Sequence, residues 1–240
     1  MYQERDYRRL MKADELICFN VTKYESDLQI YAKTNLKKEA EIAVVKHRKF
    51  IIDYISRHSE FLTSLTPLEP LWDAPDIVQE MCHCSKLANV GPMAAVAGAV
   101  SKYAGRDLLR FTDELLIENG GDLFIKSKSD RRILIYAGSS PLSNKIALHI
   151  PGSDGELGVC TSSGTVGHSL SFGKADAAVV ISKNAVLADA AATAVGNAVK
   201  DNNYIAAGIE YAMSIPGVDG VVIIAGDKIG ACGNINITKA

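Results

Sequence analysis

Apolar and polar residues alternate along residues 15–32. Leu16, Cys18, Asn20 and Thr22 fall on one face, Tyr24-Glu25-Ser26-Asp27 turns the chain, and Leu28-Gln29-Ile30-Tyr31-Ala32 continues as a second strand. That period of two predicts a β-hairpin. The spacing then lengthens to three to five over residues 36–57. There Ile42, Val45, Phe50 with Ile51, and Tyr54 with Ile55 predict an amphipathic helix. Pro67 and Pro70 punctuate a loop, and Ala74–Lys86 reads as a helix with Asp73 as N-cap and Pro75 in the first turn. Residues Gly91 to Tyr103 form a helix of small residues, against which another backbone can pack closely.

From residue 113 the period of two returns. Three short strands are expected over 113–137, turning at Asn119-Gly120-Gly121 and at Lys128-Ser129-Asp130. Ile146–Ile150 and Leu157–Cys160 read as strands, and residues 161–174, rich in Ser, Thr and Gly, as a loop. Ala175–Ser182 is an apolar strand. Ala185–Lys200 is a second helix of small residues, followed by a helix near 204–214 and strands at 219–225 and 229–237. The pattern is one of short strands, several joined as hairpins, and of helices, two of them built from small residues. With no low-complexity linker, residues 1–240 are read as one domain.

Composition removes several functional classes. The 240 residues are 48% hydrophobic and 22% charged with a formal net charge of −2, so no basic excess favours nucleic acid or an anionic membrane. No apolar run reaches the length that spans a bilayer, and the charged first residues have no apolar run behind them. A cytoplasmic protein is expected. Its five cysteines, an odd number, are then reduced, and most are small buried hydrophobes.

Three segments could carry chemistry. In Ala188-Asp189-Ala190-Ala191-Ala192-Thr193, Asp189 and Thr193 share a helix face otherwise stripped to Ala. A carboxylate and a hydroxyl are hard donors suited to Mg²⁺ or Ca²⁺. The ordinary reading places Asp189 in the first turn, favouring the helix dipole, with Thr193 bonded within its own helix. Cys160-Thr161-Ser162-Ser163-Gly164 can hold a phosphate or carboxylate, or be a solvated turn, with Cys160 a buried strand residue. Glu118-Asn119-Gly120-Gly121-Asp122 is a hairpin signal whose glycines also let a ligand approach the backbone. Cys82-His83-Cys84 is too tightly spaced for a zinc site, and no phosphate-loop or dinucleotide glycine motif is present.

The order of these segments resembles the ApbE superfamily of flavin transferases, and most closely its uncharacterised cytoplasmic branch. Those proteins carry an Asn-x-Gly-Gly-Asp turn, a Thr-Ser-Gly loop and an Ala-Asp-Ala-x-Ala-Thr helix in this order. The resemblance covers roughly residues 90–240, and in the branch most of the chain. It implies an α+β, T-fold-like architecture of antiparallel sheets with packed helices, from tandem duplication, with pseudo-repeats of about 13–110 and 111–240. By the same resemblance Asp189 and Thr193 hold Mg²⁺, completed by a backbone carbonyl matched to Ala94. Glu118, Asn119, Gly120, Gly121 and Asp122, together with Thr161, Ser162, Ser163 and Gly164, line a pocket for FAD or FMN. The implied activity is Mg²⁺-dependent binding of a flavin or other dinucleotide, with transfer of FMN or a nucleotidyl group. A homo-oligomer is also implied. The family's His-x-x-Asp-Pro-x-x-Gly stretch is replaced by Gly167-His168-Ser169-Leu170-Ser171-Phe172-Gly173-Lys174, where the Asp-Pro is missing. The alternative implied by the branch is an accessory role, with protein partners, in making homocysteine from aspartate semialdehyde.

Overall fold

A computed structural model describes residues 8, 13, 15–165 and 172–240. The predicted hairpin is β1 (Ile17–Lys23) and β2 (Ser26–Ala32), with Tyr24 in the turn at φ 56°. Helices α1 (Lys37–Arg57), α2 (Glu60–Thr63) and α3 (Asp76–Leu87) follow. A 3-10 turn, Pro92–Ala95, then leads into α4 (Val96–Leu108). Strands β3 (Leu115–Asn119), β4 (Asp122–Lys126), β5 (Arg131–Leu134), β6 (Ile146–Ile150), β7 (Leu157–Ser162) and β8 (Ala177–Ser182) come next. The chain ends with α5 (Ala185–Ala198), α6 (Ile205–Ser214), β9 (Gly220–Ala225), β10 (Lys228–Gly233) and β11 (Ile237–Lys239).

Eight strands form one antiparallel sheet in the order β1-β2-β3-β4-β7-β8-β9-β10. The succession hairpin, helices, hairpin occurs twice along it. The α+β class implied by the resemblance is therefore the observed one. The inner strands β2, β3, β4, β8 and β9 are buried on both faces because each face is covered, whereas the edge strands β1 and β10 are largely exposed. Leu115, Ile117 and Phe124 point into the helical layer, while Leu116, Leu123 and Ile125 point the other way. There they meet Ile135, Leu148 and Ile150 beneath the small sheet β11-β6-β5. In the second half, Cys160, Ala178 and Val180 face α5, and Val159, Val179 and Ile181 face the small sheet. This alternation is the period of two expressed in three layers.

Several boundaries differ from expectation. The strand expected over 229–237 is divided at Gly233 (φ 91°), so that residues 237–239 join the small sheet. In α3, Asp73 is not the cap: Pro75 holds that position, and Asp73 pairs with Arg57 at 2.5 Å. In α1 the buried face is Ala40, Ala43, Val44, His47, Ile51 and Tyr54. Ile42, Val45 and Phe50 point outward, with Ile42 70% exposed. Small residues let α1 lie close to its neighbours, which outweighs burying the larger side chains.

Candidate functional site

Where β4 and β7 meet in mid-sheet, α4 and α5 cross above them. Gly98 sets the separation of the two helices. A Cβ there would stand 2.3 Å from the Ala185 carbonyl oxygen and 2.8 Å from Asp189 Cβ. Gly158 is under the same constraint from the sheet side, 2.4 Å from Ala185 Cα. These contacts explain the small residues of both helices.

The 3-10 turn before α4 makes the helix begin at Val96 rather than Gly91, which leaves the N–H groups of Ala97 and Gly98 without partners in their own helix. Asp189 supplies one: Gly98 donates to its Oδ2 at 2.8 Å, and the Ala97 N–H also bonds the carboxylate. Asp189 therefore lies beyond the first turn of its own helix, whose cap is Asn184, and instead caps α4 from across the interface. No local signal could have revealed this, because the two partners are 91 residues apart. Asn184 is itself held by a buried network. It accepts from Val186 N at 3.0 Å and from Lys102 Nζ at 3.1 Å, and donates to Glu80 Oε1 at 2.9 Å.

The hairpin between β3 and β4 closes on Gly120 (φ 73°) and Gly121 (φ 104°), both left-handed. Asn119 and Asp122 are the last paired residues. Glu118, 1% exposed, accepts the Gly121 N–H at 2.8 Å and the Arg8 Nε at 2.5 Å. Arg8 also reaches Asp27 Oδ2 at 2.8 Å. Glu118 is thus a brace beneath the turn. Asn119 donates to the Ala97 carbonyl at 3.3 Å, tying the turn to the start of α4.

Thr161 and Ser162 prove to be strand residues paired with Val179 and Ala178, because β8 continues alongside them. Thr161 N donates to Asp122 Oδ1 at 3.3 Å. Ser162 lies against Gly196 of α5, one face along from Asp189 and Thr193. Ser163 accepts from Thr165 N at 3.1 Å, and Gly164 packs onto the Gly173 carbonyl. Thr193 is half-buried and makes no hydrogen bond among the described residues. Ala94 lies half-buried in the 3-10 turn, which packs against α5. Asp122, Thr161, Ser162, Asp189 and Thr193 therefore stand where α5 packs over β4 and β7. Thr161 and Asp122 sit at the Asp189 end of this contact, and Ser162 and Gly164 toward the C-terminal half of α5. His168 lies outside the described residues.

Electrostatics concentrate at the Asp189 end. Burial pushes the Asp189 carboxyl up to about 7, against the lowering effect of the two N–H groups. Burial, then the charge of Asp189, holds Asp122 well above the usual carboxylate range. Cys160 is fully buried, and burial with the same two carboxylates drives its thiol far upward. It is a poor nucleophile. Among the described residues, no ion pair reaches Asp122 or Asp189, and no three His, Cys, Asp or Glu side chains converge as a metal's ligands.

A family model described as AbpE bacteria matches residues 8–214. The chain belongs to this family. Its AbpE-type relatives include a UPF0280 protein of Methanococcus aeolicus, 42% identical over 201 residues, covering 82% of this chain and 81% of the relative. A second, from Methanocaldococcus jannaschii, is 40% identical over 203 residues, covering 82% of each. Among solved structures, the flavin transferase ApbE of Vibrio cholerae aligns with a TM-score of 0.61 at 12% identity, covering 91% of this chain and 97% of that one. The flavinyl transferase ApbE of Pseudomonas stutzeri aligns at 0.58 with 15% identity, covering 91% and 94%. These likenesses show that the AbpE chain has the ApbE fold. No helix among the described residues is long and apolar enough to cross a membrane.

Proposed function

We propose that this chain binds a flavin dinucleotide, or a related dinucleotide, through its diphosphate and Mg²⁺, in the groove between the Gly120–Gly121 turn, residues 161–164 and α5. The observation that carries the reading is the buried pair Asp122 and Asp189, in which the charge of Asp189 raises the proton affinity of Asp122 and no cationic side chain is paired to either. Mg²⁺ takes one or two carboxylates and leaves its other positions to water and substrate phosphate, so a sparse, all-oxygen donor set fits it. Asp189 would hold the ion with the Thr193 hydroxyl and the Ala94 carbonyl, and Asp122 would add charge from the sheet side.

Bound Mg²⁺ would neutralise diphosphate charge and favour phosphoryl transfer. The chain's own residues do the rest. Gly120 and Gly121 leave the turn without side chains, so that a ligand can lie on the backbone. Arg8 and Glu118 hold that turn rigid. Transfer of FMN to an acceptor is the finer reading, and ligand binding without turnover is the second. The missing Asp-Pro between residues 167 and 174 favours the second.

The test is a thermal shift with FAD, with and without Mg²⁺, alongside an assay of AMP release in the presence of acceptor proteins. Stabilisation that needs both components and vanishes in Asp189→Ala supports the site; AMP release then selects transfer over carriage. No stabilisation by FAD, FMN or ATP with Mg²⁺ removes both readings.

A further inference from the structure

The β3–β4 hairpin has two ends of different character. Asn119 pairs with Asp122 at the proposed site, whereas Leu115 pairs with Lys126 at the other end, four residues away. At strand rise this is roughly 13 Å. Beyond Leu115 lies a cavity of about 480 Å³ lined by Lys33, Leu109, Arg110, Phe111, Thr112, Asp113 and Lys126. That volume is in the range of small-molecule pockets.

The lining is chemically specific. It holds three cations and one carboxylate. Lys33 is paired with Asp113 at 2.8 Å, and Lys126 donates to the Asp154 carbonyl at 2.9 Å, so both ammonium groups are held in place. Arg110 makes no hydrogen bond or ion pair among the described residues, and its guanidinium is available to an anion. Phe111, 58% exposed, offers an aromatic ring at the rim. An arginine fork beside a lysine suits a phosphate, and an uncovered aromatic ring suits a planar group.

We propose that this cavity is a second ligand site, distinct from the groove above, for a small phosphomonoester carrying a flat ring, with phosphate between Arg110 and Lys126 and the ring on Phe111.

The experiment is calorimetric titration of the whole chain with AMP, FMN and phenyl phosphate, with inorganic phosphate as the ringless control. At least one of the three should bind more tightly than inorganic phosphate. Arg110→Glu should weaken that binding about tenfold or more, as expected for removing a charge-assisted contact. Arg110→Lys should recover part of it, and Phe111→Ser should bring the ligand down to the level of inorganic phosphate. Asp189→Ala should leave phenyl phosphate binding unchanged, which separates this site from the groove even if the groove binds no flavin. The proposal is overturned if none of the three ligands binds, if inorganic phosphate binds equally, or if Asp189→Ala abolishes phenyl phosphate binding that Arg110→Glu leaves intact.

Discussion

Metal-stripped protein should lose stability as pH rises through neutrality, and Asp189 should be the main cause. Its carboxyl is pushed up to about 7 by burial in the native state. In the unfolded chain an Asp titrates near 3.9. The native state therefore keeps a proton that the unfolded state has already released. The resulting stability is complete below about pH 4 and is lost as pH rises through 7. At about 1.36 kcal/mol per unit, the loss between pH 5 and pH 8 is roughly 3 kcal/mol. In a chain of this size that corresponds to a fall in Tm of roughly 6–12 °C. Asp122, raised by burial and by Asp189, acts in the same direction.

The assay is thermal unfolding from pH 5 to 8 in EDTA, repeated with millimolar Mg²⁺ and with Asp189→Asn. Asn keeps the shape and an acceptor for the Gly98 N–H, but cannot ionise. The variant should show a flatter profile and exceed the wild type at pH 8. A cation that binds only the ionised pair should stabilise the wild type at pH 8, little at pH 5, and the variant at neither. A wild-type profile flat across this range, or an identical slope in Asp189→Asn, refutes the reasoning. Either result would mean that the Asp189 carboxyl is not buried as described.

Other perturbations test the packing and the brace. Gly98→Ala places a methyl 2.3 Å from the Ala185 carbonyl, so denaturant unfolding should show a loss of about 1–3 kcal/mol, together with weaker Mg²⁺ binding. Arg8→Ala removes the guanidinium beside the buried Glu118, and should cost about 3 kcal/mol and increase amide exchange at Gly121. Iodoacetamide should label Cys18 and Cys232 readily in the native protein. Cys82, Cys84 and Cys160 should react only on unfolding, and rapid native labelling of Cys160 would contradict its burial.

What could be read from the sequence followed periodicity. The first hairpin and the β3–β4 hairpin were legible because alternation and glycine placement are local properties. The outward side of α1 was not, because Ile42 and Val45 look like core residues until Ala40, Ala43 and His47 are seen to permit closer packing. The motif around Asp189 was legible as a pattern, but its role as the cap of α4 was not. That role depends on a 3-10 turn that delays the start of α4, and on a close crossing for which Gly98 makes room. The Arg110 cavity carries no motif at all, since its cations come from three separate segments.

The position of the groove follows from the repeated topology. Asp122 stands on the last hairpin of the first four strands, and Asp189 on the first helix after the next hairpin. The two carboxylates meet only because β4 pairs with β7 and joins the halves in mid-sheet. Neither half could hold both charges alone. Forcing two buried carboxylates together opposes folding, and the hydrophobic layers on both faces of the sheet must offset it. A bound cation would remove that opposition, so the same juxtaposition that weakens the metal-free protein at high pH is what would make it bind.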